Sequence, residues 1–197
     1  MDILFWSGGK DSYLALEFYR HQLEEAELNL LTTYNRETQL LDHQNIAIKD
    51  IRKQAAELEL PLIEIPLPPS PPNEAYLDVI HEKLQNMEDN VDGLIFGDWK
   101  NEEIREWRES ELGEQMGYAC YFPIWRKSLH KLFPVLLFKP VKVFISAVQE
   151  QWLPYLKTGE EYTQQLVAML PDGMDPMGEN GEFHTRVELQ SLNEEVA

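Results

Sequence analysis

The chain has 197 residues, 43% of them hydrophobic and 26% charged, a globular balance that excludes disorder as a description of the whole. Seventeen basic against 35 acidic side chains give a net charge of −18, so nucleic-acid backbones and anionic membranes are not expected as partners. The single cysteine, Cys120, rules out an intrachain disulfide, a CxxC redox pair and a thiolate zinc site. No basic-then-apolar leader precedes Asp2 and no run approaches membrane-spanning length, so a cytoplasmic protein is expected.

Residues 3–6 form a short apolar run ending at Ser7-Gly8-Gly9, which predicts a buried strand. Asp11 and Ser12 are placed to cap a helix whose apolar spacing runs through Leu14, Leu16, Phe18, Tyr19 and Leu23. Residues 28–34 predict a second strand. A helix is expected over 46–58, with Ile48, Ile51, Ala55 and Leu58 on one face, and a third strand over 62–65. Residues 66–72 hold five prolines in seven positions, which predicts an extended, stiff connector rather than helix or central strand. A helix over 74–87, a strand over 93–97, a helix over 101–116 and a strand over 119–122 follow. This alternation predicts an α/β fold, a Rossmann-like open parallel sheet with helices on both faces.

The alternation weakens after Pro123. Residues 132–138 and 141–148 read as strands, 160–170 as a helix, and 171–185, rich in Gly, Asp, Asn and Pro, as a long loop. The expected organisation is a nucleotide-binding domain over 1–123 and a smaller C-terminal α/β unit over 124–197 that completes the site. Between residues 115 and 149 there are five Lys or Arg and no Asp or Glu. Arg126, Lys127 and Lys131 there either offset acidic neighbours in the fold or face an anionic substrate.

The strongest signal is Ser7-Gly8-Gly9-Lys10-Asp11-Ser12, between the first strand and the first helix. Two glycines allow a tight turn and close approach of the backbone to a ligand. Free N–H groups and the helix dipole favour an anion at that point. Lys10 offers a charge for phosphate oxygens, Ser7 and Ser12 offer hydroxyls, and Asp11 can hold Mg²⁺. Because Asp follows Lys10, the loop is not a Walker A motif. It matches instead the SGGxDS loop of the ATP pyrophosphatases, or PP-loop enzymes, which split ATP between its α and β phosphates. Gly97-Asp98-Trp99 stands at the end of the fourth predicted strand, where ligands bind in open α/β sheets. Glu102, Arg105, Arg108 and Glu109 are spaced to share one helix face. The segment Asp175-Pro176-Met177-Gly178-Glu179-Asn180-Gly181-Glu182-Phe183-His184-Thr185 offers carboxylates, glycines, an amide, an imidazole and a hydroxyl.

Taken together and in this order, the motifs resemble the diphthine–ammonia ligase family, whose last motif reads P-C-G-E-x-G-E-[FY]-x-T. His43 and Asn45 match that family's F-H-x-x-N segment, and Phe122-Pro123-Ile124-Trp125 resembles its P-L-W. The resemblance runs from about Asp2 to Val187, with Met177 standing where the family carries Cys. The chain is short, like the family's prokaryotic members. The resemblance implies an AMP-forming carboxylate–ammonia ligase that uses ATP and Mg²⁺. Its partners are ATP, ammonia and a carboxylate borne by a modified-histidine protein or a small molecule, and homo-oligomerisation is left open. In this reading Ser7, Gly8, Gly9, Lys10, Asp11, Ser12, His43 and Gly97 hold ATP, and Asp11 and Asp98 hold the metal. Lys10, Asp98, Glu179 and Glu182 act in catalysis, the two glutamates by guiding ammonia, accepting its proton or contacting metal. Glu102, Arg105, Arg108, Asn180, His184 and Thr185 are expected on the substrate side. The other readings are a nucleotide-binding or sensing protein without turnover, and transfer-RNA thiolation or lysidine formation. The acidic charge, the single cysteine and the missing RNA-binding appendage weigh against the last two.

Overall fold

The computed structural model describes residues 1–21, 27–87 and 90–190. Leu23 and the acidic end of the chain after Gln190 lie outside the described residues. Five strands, β1 (Asp2–Phe5), β2 (Leu28–Asn35), β5 (Leu62–Leu67), β6 (Gly93–Ile95) and β7 (Ala119–Tyr121), form one sheet in the order β5-β2-β1-β6-β7. Every pairing in it is parallel, with Leu4 of β1 opposite Leu30 on one side and Ile95 on the other. β3 (Leu40–Leu41) and β4 (Ile46–Ala47) form a small antiparallel hairpin above it.

Side chains alternate between the two faces of a strand, and each face has its own core. Leu4, Trp6, Leu30 and Ile95 pack under α1 (Lys10–Arg20) and α2 (Ile48–Glu57). Ile3, Leu31, Leu94 and Phe96 pack under α3 (Asn73–Gln85) and Leu112. The fold is therefore the expected open parallel sheet covered on both faces. The rest of the chain contributes α4 (Glu102–Arg108), α5 (Leu129–Phe138), β8 (Val141–Val148), α6 (Gln164–Ala168) and β9 (Phe183–Leu189). β8 and β9 pair antiparallel. Their Val141, Val143, Ile145, Phe183 and Val187 enter the same core as α1 and α2, so that core crosses Pro123. Among the described residues no helix is long and apolar enough to cross a membrane.

Several elements differ from the sequence reading. Residues 132–138 are helical, not a strand. Leu129, Leu132, Val135 and Leu136 recur at three- and four-residue intervals and pack on Leu14 and Ile124, and so short an apolar run does not distinguish the two periods. β5 runs on through Pro66 and Leu67, opposite Tyr34 and Asn35. It is an edge strand, where a missing N–H is tolerated. The helix expected over 46–58 starts at Ile48, because Ile46 and Ala47 pair with Leu41 and Leu40. The helix expected over 101–116 changes to π-helix over Glu109–Gln115. Only Gln164–Ala168 of the expected 160–170 helix forms, since Tyr162 donates its N–H to Val143 O and Glu161 bridges to Phe144. The loop of 171–185 gives way to β9 at Phe183.

Candidate active site

The Ser7–Ser12 loop lies where β1 enters α1, at the C-terminal edge of the sheet. Gly9, not Asp11 or Ser12, is the N-cap of α1. Ser12 turns its hydroxyl back to donate to Gly9 O at 3.0 Å, and Ser7 donates to Ser12 Oγ at 3.2 Å. Gly8 has φ +75°, and a Cβ there would come within 2.4 Å of Ile51. A Cβ at Gly9 would come within 2.8 Å of the Thr185 carbonyl. The two glycines thus serve close packing against α2 and β9. Gly8 O accepts from Val187 N (2.8 Å) and from Gln54 Nε2 (3.2 Å), while Lys10 N donates to Thr185 Oγ1 (3.0 Å). Strand β9 is bolted to the loop at two points, and Thr185, buried and not among the residues lining the cavity, is one of the bolts.

Lys10 differs most from expectation. It is 1% exposed and not among the residues that line the cavity over this edge. Nζ donates to Met177 O (2.5 Å) and Asp11 Oδ2 (2.9 Å) and sits 5.4 and 5.5 Å from the ring centres of Tyr162 and Phe183. A buried ammonium needs such partners, and here they come from its neighbour and from the C-terminal loop. Asp11 keeps its other oxygen, Oδ1, buried with no partner among the described residues. Burial raises the Asp11 pKa and Lys10 opposes the rise, with Asp98 adding to it.

A cavity of about 870 Å³ opens over this edge. Of the residues expected in the site, Ser7, Asp11, Ser12, His43, Gly97, Asp98, Arg108, Glu179 and His184 line it. Gly97 allows β6 to approach α1: a Cβ would lie 2.8–2.9 Å from backbone atoms of Asp11 and Ser12. Asp98 Oδ2 is 2.6 Å from Arg108 Nε, and the Arg108 guanidinium lies 4.3 Å from the Phe96 ring centre. Arg105 is directed elsewhere, pairing with Glu109 and stacking on Phe122 and Trp125. Glu102 pairs with Arg126 on the surface. Together with Lys139 on Glu17 at 2.8 Å, that contact shows basic groups of the 115–149 stretch offsetting acidic neighbours.

The loop of 175–182 folds back to the Ser7–Ser12 loop, where Met177 O accepts from Lys10 Nζ, and separates its two glutamates. Glu182 is 3% exposed and accepts from Asp175 N, Asn180 N and Asn180 Nδ2 at 2.9–3.0 Å. Burial pushes its pKa up, but these donors more than reverse that and hold it below the ordinary value. Glu182 and Asn180 therefore shape the loop and do not face the cavity. Glu179 does face it, accepting from Lys100 N at 3.2 Å. Burial, reinforced by Asp11, pushes its pKa up to about 7. His184 and His43 face each other with ring centres 6.4 Å apart. Burial, with His43 and Lys10, lowers the His184 pKa, favouring neutral imidazole.

Residues 1–118 match the family described as the diphthamide synthase N-terminal domain. The chain belongs to that family. The diphthamide synthase domain is of the PP-loop type, in agreement with the Ser7–Ser12 loop and its strand–turn–helix setting. A comparison with curated proteins gives no match. Among solved structures the chain is similar to a predicted subunit of tRNA methyltransferase from Methanocaldococcus jannaschii, at 16% identity and TM-score 0.47, covering 94% of this chain and 95% of that one.

Three further residues of the site, Gln54, Tyr162 and Trp107, were not among those expected from the sequence. Gln54 accepts from Trp6 Nε1 at 2.9 Å and donates to Gly8 O and Val187 O, joining α2, the loop and β9. Tyr162 donates to Pro176 O at 2.7 Å and stacks on Phe133. A polar residue on the buried face of the α2 pattern was the available clue to Gln54. Trp107, on the cavity wall, is part of the E-x-x-R-x-x-R-E helix and was masked by its charged neighbours.

Proposed function

We propose that the chain is an AMP-forming, ATP-dependent carboxylate–ammonia ligase. The observation that carries the reading is one cavity in which Ser7, Ser12 and the start of α1 face Asp11, Asp98 and Glu179. A polyphosphate at the first group suits the helix N-terminus and the two hydroxyls. The buried, unpartnered Asp11 Oδ1 fits a cation. Mg²⁺ held by two carboxylates would take its remaining ligands from phosphate and water. Asp11 and Asp98 would hold it, and when bound it supplies charge neutralisation on the phosphate oxygens.

In this scheme an oxygen of the substrate carboxylate attacks the α-phosphorus of ATP, and the bond to the β-phosphate oxygen breaks to release pyrophosphate. Charge that develops on the leaving group is met by the α1 N-terminus, joined by Ser7 and Ser12 once their hydroxyls rotate from Ser12 Oγ and Gly9 O toward the phosphate. Ammonia then attacks the acyl carbon and AMP leaves. Glu179 Oε accepts the proton that ammonia sheds, a task for which a pKa of about 7 suits it at neutral pH. Arg108, held by Asp98 and Phe96, presents a cation to the substrate carboxylate.

The test is to incubate the protein with Mg-ATP, ammonium chloride and a panel of carboxylates, resolving nucleotides by anion exchange. AMP and pyrophosphate in step with amide support the proposal. ADP and orthophosphate refute its mechanism, and ATP binding with no turnover on any acid favours a nucleotide-sensing role.

A further inference from the structure

Asp98 has two claims on it. A cation shared with Asp11 needs its carboxylate, and Arg108 already occupies that carboxylate. Arg108 Nε lies 2.6 Å from Asp98 Oδ2, and Arg108 Nη2 donates to Asp98 Oδ1 at 3.4 Å. An arginine fork settled on a carboxylate makes two parallel hydrogen bonds of about 2.7–2.9 Å. Here one contact is short and off-axis and the other is stretched. Nε and Oδ2 are both buried, and neither has a hydrogen-bond partner among the described residues. Charge rather than hydrogen-bond direction therefore holds the two together. The side chains are 20% and 14% exposed, so solvent screens that charge only in part.

The two carboxylates are neutralised in different ways. Lys10, fully buried, serves Asp11 from behind and is pinned by Met177 O. Arg108 serves Asp98 from within the cavity and is the only lysine or arginine among its described lining residues, against Asp11, Asp42, Asp98 and Glu179. Nothing comparable to Met177 O pins its guanidinium. It rests on aromatic rings, 4.3 Å from the Phe96 centre and 6.0 Å from that of Phe5. Such a floor attracts a cation without fixing a hydrogen-bond direction. α4 ends at Arg108, and the chain passes there into π-helix, an irregularity frequent at functional sites. Asp11 Oδ1 and Asp98 Oδ2, one oxygen of each carboxylate, are left buried without a hydrogen-bond donor among the described residues.

Resting on the metal assignment of the ligase reading, we infer that Arg108 and a divalent cation compete for Asp98. Binding of the ion displaces the guanidinium over the Phe96–Phe5 floor and frees it for an anion in the cavity. One exchange thereby couples filling of the metal site to release of the only cationic side chain on the wall. A charge within about 4–6 Å changes the proton affinity of a carboxylate by about tenfold to a thousandfold, and a divalent ion at the same oxygen feels the guanidinium at least as strongly. Removing the guanidinium should therefore tighten the metal by at least about tenfold.

The experiment reads metal binding apart from turnover. Mn²⁺ is titrated into the full chain and the free ion is counted by electron paramagnetic resonance. Arg108→Gln is expected to bind Mn²⁺ at least about tenfold tighter than wild type. Arg108→Lys, which keeps the charge, should stay nearer to wild type. Adding Asp98→Asn to Arg108→Gln should abolish the gain. Arg108→Gln leaves Asp98 uncompensated and can unfold the chain, so a second measurement uses wild type. The Arg108 Nε–H signal, assigned by its loss in Arg108→Lys, is followed by nitrogen-15 NMR as Mg²⁺ is added to protein saturated with α,β-methylene-ATP. The signal should shift until Mg²⁺ saturates and should not respond to K⁺. Mn²⁺ affinity unchanged by Arg108→Gln overturns the inference, as does a gain that survives Asp98→Asn or an Arg108 signal that Mg²⁺ leaves in place. Tightened Mn²⁺ binding in Arg108→Gln, with no AMP formed by wild type on any acid, upholds the exchange and refutes the ligase reading. AMP formation by wild type, with Mn²⁺ affinity that Arg108→Gln leaves unchanged, does the reverse.

Discussion

Lys10→Met separates two roles for the phosphate-loop lysine. As an exposed phosphate ligand, Lys10 would affect ATP affinity and leave the fold alone. In the structure it is an internal clamp, with its ammonium between Met177 O, Asp11 Oδ2 and two aromatic rings. Removing one member of a buried ion pair costs about 3–5 kcal/mol because the partner charge is left behind. The Asp11 side chain is 31% exposed, so water recovers part of its solvation and the lower figure, about 3 kcal/mol, applies. For a chain of this size each kcal/mol moves the melting temperature by about 2–4 °C, which gives a loss of about 6–12 °C. The assay is thermal unfolding followed by circular dichroism at pH 7, checked by urea denaturation. Melting within about 2 °C of wild type, together with lost ATP affinity, would return Lys10 to the phosphates and refute the clamp.

Glu179→Gln should raise the melting temperature above pH 7 and leave it unchanged below pH 4.5. The folded pKa of about 7 lies above the ordinary 4.5, so the folded state loses stability as pH rises through that window and the amide does not. The same substitution should abolish the limb of turnover that rises through pH 7, read from a pH–rate profile. Glu182→Gln should lower stability by about 2 kcal/mol and speed hydrogen exchange across 175–182, since one acceptor oxygen cannot serve three donors. Because the Glu182 pKa lies below its ordinary value, that deficit should shrink as pH falls below the carboxylate range; wild-type exchange at pH 7 would contradict the assignment. Gly97→Ala should weaken ATP binding and lower the melting temperature, because its Cβ would sit 2.8 Å from Asp11 backbone. A fully active Gly97→Ala protein would mean that β6 and α1 need not be so close.

The alternation of strand and helix patterns over residues 3–122 made the parallel sheet legible, because β1, β2, β6 and the helices between them each follow one clear period. The Ser7–Ser12 turn was legible because two glycines between an apolar run and a helical pattern mark a tight strand-to-helix turn, whereas their packing against Ile51 and Thr185 was not. Residues 132–138 were misread because an apolar run of seven satisfies both periods. Glu179 and Glu182 could not be told apart in sequence: their roles depend on which one meets the backbone donors of its own loop. Lys10 was placed on the phosphates from its motif, whereas its direction is set by Met177, Tyr162 and Phe183, more than 150 positions away in the chain. Gln54 gave only the clue of a polar residue on a buried helix face, and a lone amide there acquires meaning only when a loop and a strand arrive beside it.

In the proposed reaction the decisive step is attack of a carboxylate oxygen on the α-phosphorus of ATP in the cavity over Ser7, Asp11 and Asp98. It is tested most directly by oxygen-18 transfer. The protein is incubated with Mg-ATP, ammonia and a turnover-competent acid labelled with oxygen-18 in its carboxylate, and the AMP produced is examined by phosphorus NMR and mass spectrometry. One labelled oxygen per AMP and one retained in the amide are expected. AMP without label, or label appearing in orthophosphate with ADP, would contradict it.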